Sequence, residues 1–133
     1  MVLVDSNVLL DVFENDPDWA AWSVRQLRTQ AQVHALIINS VIYAELSLAF
    51  ESVHALDTAI EHLELAVLAL PRPALFLAGR AFLKYRRKGG ARGTVLADFF
   101  IGAHAAVLGC GILTRDAARY RGYFPRVPLT TPG

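Results

Sequence analysis

An α/β fold built on a mostly parallel sheet covered by helices on both faces is the class this sequence predicts. Short apolar runs alternate with helical patterns from one end of the chain to the other, and those runs are too uniformly apolar to leave one face in water. Size supports the same reading. At 133 residues and 14.6 kDa the chain buries roughly two thirds of its unfolded surface, enough for a layered core without crosslinks. One globular domain over 1–133 is expected. Cys110 is the single cysteine, which excludes an internal disulfide and a Cys-rich zinc site.

Val2 to Val4 reads as a first strand, Leu36 to Ile38 as a second, Ala66 to Leu70 as a third and Gly111 to Thr114 as a fourth, each brief, apolar and bounded by polar or turn residues. Helical patterns fill the intervals: about Asp18 to Gln30, Ser40 to Phe50, His54 to Glu64, Ala74 to Arg87 and Thr94 to Leu108, with a short turn after Asp116. Val95 to Thr114 approaches the length of a membrane span, but Asp98, His104 and three glycines argue for a buried helix followed by a strand. The apolar opening is broken by Asp5 and lacks the basic lead of a secretory signal, so a cytoplasmic protein is expected. Charged residues make up only 19% of the chain and mean hydropathy is +0.36, which predicts apolar surface that a partner covers.

The net charge of +1 conceals a division. Residues 1–64 carry ten acids against Arg25 and Arg28, whereas residues 65–133 carry eleven bases against Asp98 and Asp116. Arg80, Lys84, Arg86, Arg87, Lys88 and Arg92 form a basic run without an acid among them, suited to a polyanion or to a solvated helix face.

Four carboxylates stand where structure alone does not require them. Asp5 and Asp116 follow predicted strands, at the edge where open α/β sheets place ligands, although each alone reads as a helix N-cap. Glu45 has Val41, Ile42, Leu48 and Ala49 at helical spacing, so it falls on the face that packs against the sheet. Asp98 lies between Val95 and Ile101 on its own helix face. No Lys or Arg occurs between Arg28 and Arg72, and burying an unpaired carboxylate costs several kcal/mol, so a cation is expected beside Glu45 and Asp98. If all four converge, each pair at about 4 Å repels by about 4 kcal/mol at an effective dielectric near 20. Such a cluster protonates or binds cations. Oxygen-only donors select Mg²⁺ or Mn²⁺, and the chemistry implied is phosphodiester hydrolysis.

Val4-Asp5-Ser6-Asn7-Val8-Leu9-Leu10, Tyr43-Ala44-Glu45-Leu46, the segment from Ala97 to Ala105, and Leu113-Thr114-Arg115-Asp116 leading into Tyr120 and Tyr123-Phe124-Pro125 occur in that order along the chain. With these motifs the sequence resembles a PIN-domain ribonuclease, the VapC-type toxin of a VapBC toxin–antitoxin pair. The resemblance implies a single three-layer α/β/α PIN-like domain with four or five strands. It makes Asp5, Glu45, Asp98 and Asp116 the acidic quartet that holds Mg²⁺ or Mn²⁺ and activates water, with Asn7 and Thr114 orienting those carboxylates. It also implies an RNA substrate, a cognate VapB-like antitoxin covering the groove, and a homodimer or larger toxin–antitoxin assembly.

For RNA, Arg86, Arg87 and Arg92 are candidates for backbone phosphate contacts, Tyr85 for stacking a base, and Arg115 for steadying the scissile phosphate if its side chain turns inward. His104 is read as structural, being about 600° round the helix from Asp98. Asp11, Glu14, Asp16 and Asp18 are read as a solvated turn, and Trp19, Trp22 and Phe13 as core. Gly89, Gly90 and Gly93 lack the Lys and Ser or Thr of a phosphate loop. The competing reading is a catalytically inactive PIN-like module whose acidic pocket docks a partner protein.

Overall fold

The computed structural model describes residues 1–90 and 96–133. In chain order the elements are β1 (Val2–Val4), α1 (Ser6–Phe13), α2 (Ala20–Ala31), β2 (Leu36–Asn39), α3 (Ser40–Leu46) with a tight turn over Ser47–Ala49, and α4 (Val53–His62). Then follow β3 (Ala66–Leu68), α5 (Arg72–Arg87), α6 (Leu96–Leu108), β4 (Gly111–Leu113), α7 (Ala118–Tyr123) and β5 (Leu129–Thr130). The strands form one sheet in the order β3-β2-β1-β4-β5. Every pairing is parallel, as the alternation of strands and helices requires, since a helical crossover returns the chain to the same edge.

β1 is central and buried at all three residues. Leu3 pairs with Ile37 of β2 on one side and with Ile112 of β4 on the other. From β1 the chain builds outward through β2 and β3, then crosses to add β4 and β5 on the opposite side. The order therefore reverses between β1 and β4, and in open α/β sheets the crevice at the carboxyl ends of such a pair receives the ligand. Asp5 lies at that point, its backbone N–H donating to the Leu113 carbonyl at 2.9 Å.

Three features differ from the sequence reading. α1 was not anticipated as a separate helix. Asp5 caps it by accepting from the Ser6 N–H, and Val8 and Leu9 bury its inner face. β5 has two residues, too few for any apolar pattern, and is set by pairing with Ile112 and Leu113. β3 is not a buried run. It is an edge strand joined to β2 alone, and Val67 is 48% exposed.

An aromatic cluster joins α5, α6 and α7. Phe99 is buried, with ring centroids 5.5 Å from Phe82, 5.4 Å from Tyr85, 5.2 Å from Tyr123 and 6.4 Å from Phe124. It fixes the start of α6, which carries Asp98. Gly102, one turn along the buried face, allows Phe124 to approach: a Cβ there would stand 2.3 Å from the ring. Phe124 is itself buried, so its ring must shift within the packed cluster to make room. Gly102→Ala is therefore expected to destabilise the fold by about 1–3 kcal/mol despite the better helix propensity of Ala, read as a lower urea midpoint with unchanged slope.

Candidate active site

The site is assembled around one hydroxyl. Thr114, buried just past β4, donates from Oγ1 to Asp5 Oδ2 at 2.8 Å. The same oxygen accepts from Asn7 Nδ2 at 3.3 Å and from the Asp116 N–H at 3.1 Å. It thereby ties the end of β1, the first turn of α1 and the loop after β4 to one point. Asn7 closes the arrangement by accepting at Oδ1 from the Arg115 N–H at 3.2 Å.

Asp5 is buried and serves as both cap and cluster member. Its Oδ1 accepts from the Ser6 N–H at 2.8 Å, and its Oδ2 accepts from the Tyr120 hydroxyl at 2.8 Å as well as from Thr114. Glu45, half-buried near the end of α3, accepts at Oε1 from the Ser6 hydroxyl at 2.9 Å, and that hydroxyl lies 3.5 Å from Asp5 Oδ1. Asp98 stands in the first turn of α6, where the helix dipole favours a carboxylate. Its Oδ2 accepts from Arg119 Nη1 at 2.8 Å. Asp116 is exposed in the loop between β4 and α7.

Burial, and then mutual repulsion, governs the titration of these groups. Asp5 is held above the usual carboxylate range by desolvation, reinforced by the charge of Asp98, although hydrogen bonds from Thr114 and Tyr120 act the other way. Glu45 is raised by burial and by the charges of Asp5 and Asp98. Asp98 is raised by burial and by Asp116, against the pull of Arg119. Tyr120 is driven far up by burial and by Asp5, Asp98 and Glu45, so its hydroxyl remains a donor. Asp5, Glu45 and Asp98 thus lie within electrostatic reach of one another, and Asp116 within reach of Asp98. Among the described residues, however, no three His, Cys, Asp or Glu side chains are close enough to hold a metal ion as they stand.

The cation expected beside Asp98 is Arg119. Glu45 has a hydroxyl partner instead. Arg115 does not turn toward the acids: its Nε and Nη2 grip Asp11 at 2.7 and 3.0 Å, and its guanidinium lies 5.0 Å from the Trp19 ring centroid. That corrects two expectations. Arg115 is a structural clamp between α1 and the loop after β4, and Asp11, 3% exposed and also bound by the Ser23 hydroxyl at 2.8 Å, is not part of a solvated turn. Asp16 does cap the turn before α2, accepting from the N–H groups of Asp18 and Trp19. Trp22 and Phe13 pack against the core. His104 is buried and bonds through Nδ1 with Asn39 Nδ2 at 3.2 Å, while Asn39 Oδ1 caps α3. The pair joins the helix of Glu45 to the helix of Asp98.

Of the basic run, Arg87 is exposed and Arg86 half-buried near the end of α5. Arg92, with Gly93, lies outside the described residues. This end of α5 borders the acids, because Tyr85 packs on Phe99 and meets the Arg119 guanidinium at 5.4 Å. Ser6, Arg119 and Tyr120 are the contacts that sequence reasoning missed. Ser6 had a signal in directly following Asp5, whereas Arg119 and Tyr120, which reach Asp98 and Asp5, had none, because their direction depends on where α7 begins.

The PIN domain family model matches residues 2–125, and the chain belongs to that family. Solved structures with the same fold include VapBC2 from Rickettsia felis bound to a DNA fragment from its promoter, at 17% identity over 100% of both chains with a TM-score of 0.76. VapBC from Salmonella typhimurium bound to DNA is 22% identical over 98% of each chain, TM-score 0.72. VapBC-1 from nontypeable Haemophilus influenzae is 18% identical over 98% of each chain, TM-score 0.73. No curated protein sequence matches the chain.

The raised carboxyl groups have a consequence for stability. Between the unfolded carboxylate range near 4 and their raised folded values, the folded protein binds more protons than the unfolded chain, so stability falls as pH rises through that window. In a chelator, these acids are expected to add to the melting temperature as pH is lowered from neutral toward the unfolded carboxylate range near 4, against the loss from buried His104, whose pKa is lowered. The parent is therefore compared with Asp5→Asn, in which the His104 contribution is unchanged. Asp5→Asn should melt higher than the parent at the upper pH, with the gap closing as pH falls. A parent matched by Asp5→Asn over this whole range would contradict the reading.

Proposed function

We propose that the chain is the toxin of a toxin–antitoxin pair, a metal-dependent endoribonuclease that hydrolyses RNA phosphodiester bonds. The observation that carries the reading is the set Asp5, Glu45 and Asp98, held above the usual carboxylate range by burial and neighbouring acids, with Asp116 acting on Asp98 from the loop after β4. Membership of the PIN domain family supports nuclease chemistry, and the toxin–antitoxin complexes among the fold's neighbours support an antitoxin partner.

The donor set fits a hard dication. All four side chains offer oxygen, as Mg²⁺ and Mn²⁺ prefer, and a guanidinium already stands at Asp98 as the kind of positive charge the cluster demands. Asp5, Asp98 and Asp116, with Glu45, are the residues that would hold it. When bound, the dication supplies a Lewis acid for a phosphate oxygen and a more acidic water. The protein's own contribution is orientation and proton handling. Thr114 and Tyr120 immobilise Asp5 Oδ2, so the carboxylate cannot swing away from the cluster. Asn7 orients Thr114. Ser6 holds Glu45 beside Asp5, where a free carboxylate oxygen of Glu45 would take the proton from attacking water.

The end of α5 supplies the rim. Lys84, Arg86, Arg87 and Lys88 bind backbone phosphates without reading sequence and hold single-stranded RNA beside the acids, with Arg92 a further candidate from the sequence alone. The protein acts in the cytoplasm as a single domain and assembles as a homodimer with its antitoxin. No helix among the described residues is long and apolar enough to cross a membrane.

The test is cleavage of labelled cellular RNA by purified protein titrated with Mg²⁺ or Mn²⁺. Chelation should abolish cutting, and Asp5→Ala and Asp98→Ala should reduce it below detection. Thr114→Val should lose about 10–100-fold, the usual cost of removing a hydrogen bond behind a metal ligand. Cleavage that survives equally in all three variants would point to a contaminant. A folded parent that binds antitoxin but never cuts RNA would favour the inactive docking module.

A further inference from the structure

Two arginines enter the region of the acids, and they are held in opposite ways. Arg115 is bidentate on a buried carboxylate and stacked near Trp19. It is locked. Arg119 places one bond, from Nη1, on Asp98, and the two side chains are 28% and 30% exposed. The pair is therefore wet enough to exchange partners, unlike one sealed in a core. The other face of Arg119 has a resting place, since its guanidinium carbon lies 5.4 Å from the Tyr85 ring centroid. Tyr85 is packed against Phe82, Phe99 and Tyr123 and does not move with it.

Asp98 cannot serve a guanidinium and a dication equally. A dication seated on this carboxylate repels the guanidinium and takes the charge that attracted it. Arg119 would then stay on the Tyr85 face by its cation–π contact, between Asp98 and the basic end of α5. There its planar fork meets a geometry it suits, the two oxygens of a phosphodiester.

We propose that Arg119 is a two-position residue: it occupies Asp98 as a built-in counter-cation in the metal-free protein, and once a dication claims Asp98 it turns to hold the phosphate of the nucleic acid. The acid cluster thus carries its own reversible plug, and loss of the plug creates a phosphate contact. This rests on the nuclease reading of the same site and adds to it a residue that couples metal loading to substrate binding.

The experiment measures Mn²⁺ binding by calorimetry, without RNA, in the parent, Arg119→Gln and Arg119→Lys, each checked for folding by circular dichroism. With its competitor removed, Arg119→Gln should bind Mn²⁺ about twofold to fivefold more tightly, as expected for a partly exposed ion pair. With Ca²⁺ as the loading ion, a short labelled single-stranded RNA should bind Arg119→Gln at least about tenfold more weakly than the parent, the effect of one lost charge-assisted contact. Arg119→Lys should recover part of that loss. Unchanged or weaker Mn²⁺ affinity in Arg119→Gln overturns the proposal, as does unchanged RNA affinity. Should either occur while the parent binds metal and cuts RNA, the nuclease reading survives and only the role of Arg119 fails. If neither parent nor Arg119→Gln binds Mn²⁺, both fail together.

Discussion

The constraint on which the structure depends is the cost of bringing several carboxylates out of water into one crevice. Asp5, Glu45 and Asp98 are all held above the ordinary carboxylate range by burial, reinforced by neighbouring acids. A fold optimised for stability alone would replace them with apolar residues or pair each with a cation. The chain does neither. Among the described residues it distributes a hydroxyl from Ser6, one from Thr114, one from Tyr120 and the guanidinium of Arg119 over the cluster. The hydroxyls satisfy oxygen atoms without neutralising charge, while the guanidinium offsets Asp98. Stability is exchanged for readiness to bind, as is common where function needs a strained environment.

The rest of the fold serves to hold this arrangement. Parallel pairing puts β1 and β4 side by side with their carboxyl ends level, which brings Asp5 and Thr114 together although 109 positions separate them in the chain. The Arg115–Asp11 clamp secures the loop that carries Asp116, and it does so from behind, leaving the acid side of the loop open. His104 and Asn39 link α6 to α3, and the Phe99 cluster fixes α6 against α5 and α7. Each acid is thus borne on an element whose position is settled by packing elsewhere, which lets the site retain unfavourable charge without local collapse.

Much of this was legible in the residues. Four of the five strands stand out as apolar runs, and the longer helices follow from periodicity, because burial on a sheet imposes spacing that sequence records directly. Glu45 and Asp98 were visible as carboxylates on apolar faces. What was hidden depends on side-chain direction. Nothing in the linear order says that Arg115 faces back toward Asp11 while Arg119, one turn on, faces the acids. Both follow from where α7 begins, a boundary set by tertiary contact. β5 was invisible because two residues carry no pattern, and β3 was read as buried because Ala66, Val67 and Leu68 are apolar, although an edge position leaves Ala66 and Val67 exposed and Leu68 half-buried. The motifs that resemble the PIN family supplied the association of the four acids before any geometry was known.

The central claim is that a hard dication, held by carboxylates from β1, α3, α6 and the loop after β4, relieves the charge gathered there. Anomalous diffraction from crystals equilibrated with Mn²⁺ tests it most directly. The account predicts an anomalous peak coordinated by Asp5 and Asp98, with Glu45 or Asp116 completing the donor set directly or through water. A protein that shows no peak in this crevice, or binds Mn²⁺ only at unrelated surface carboxylates, would contradict it.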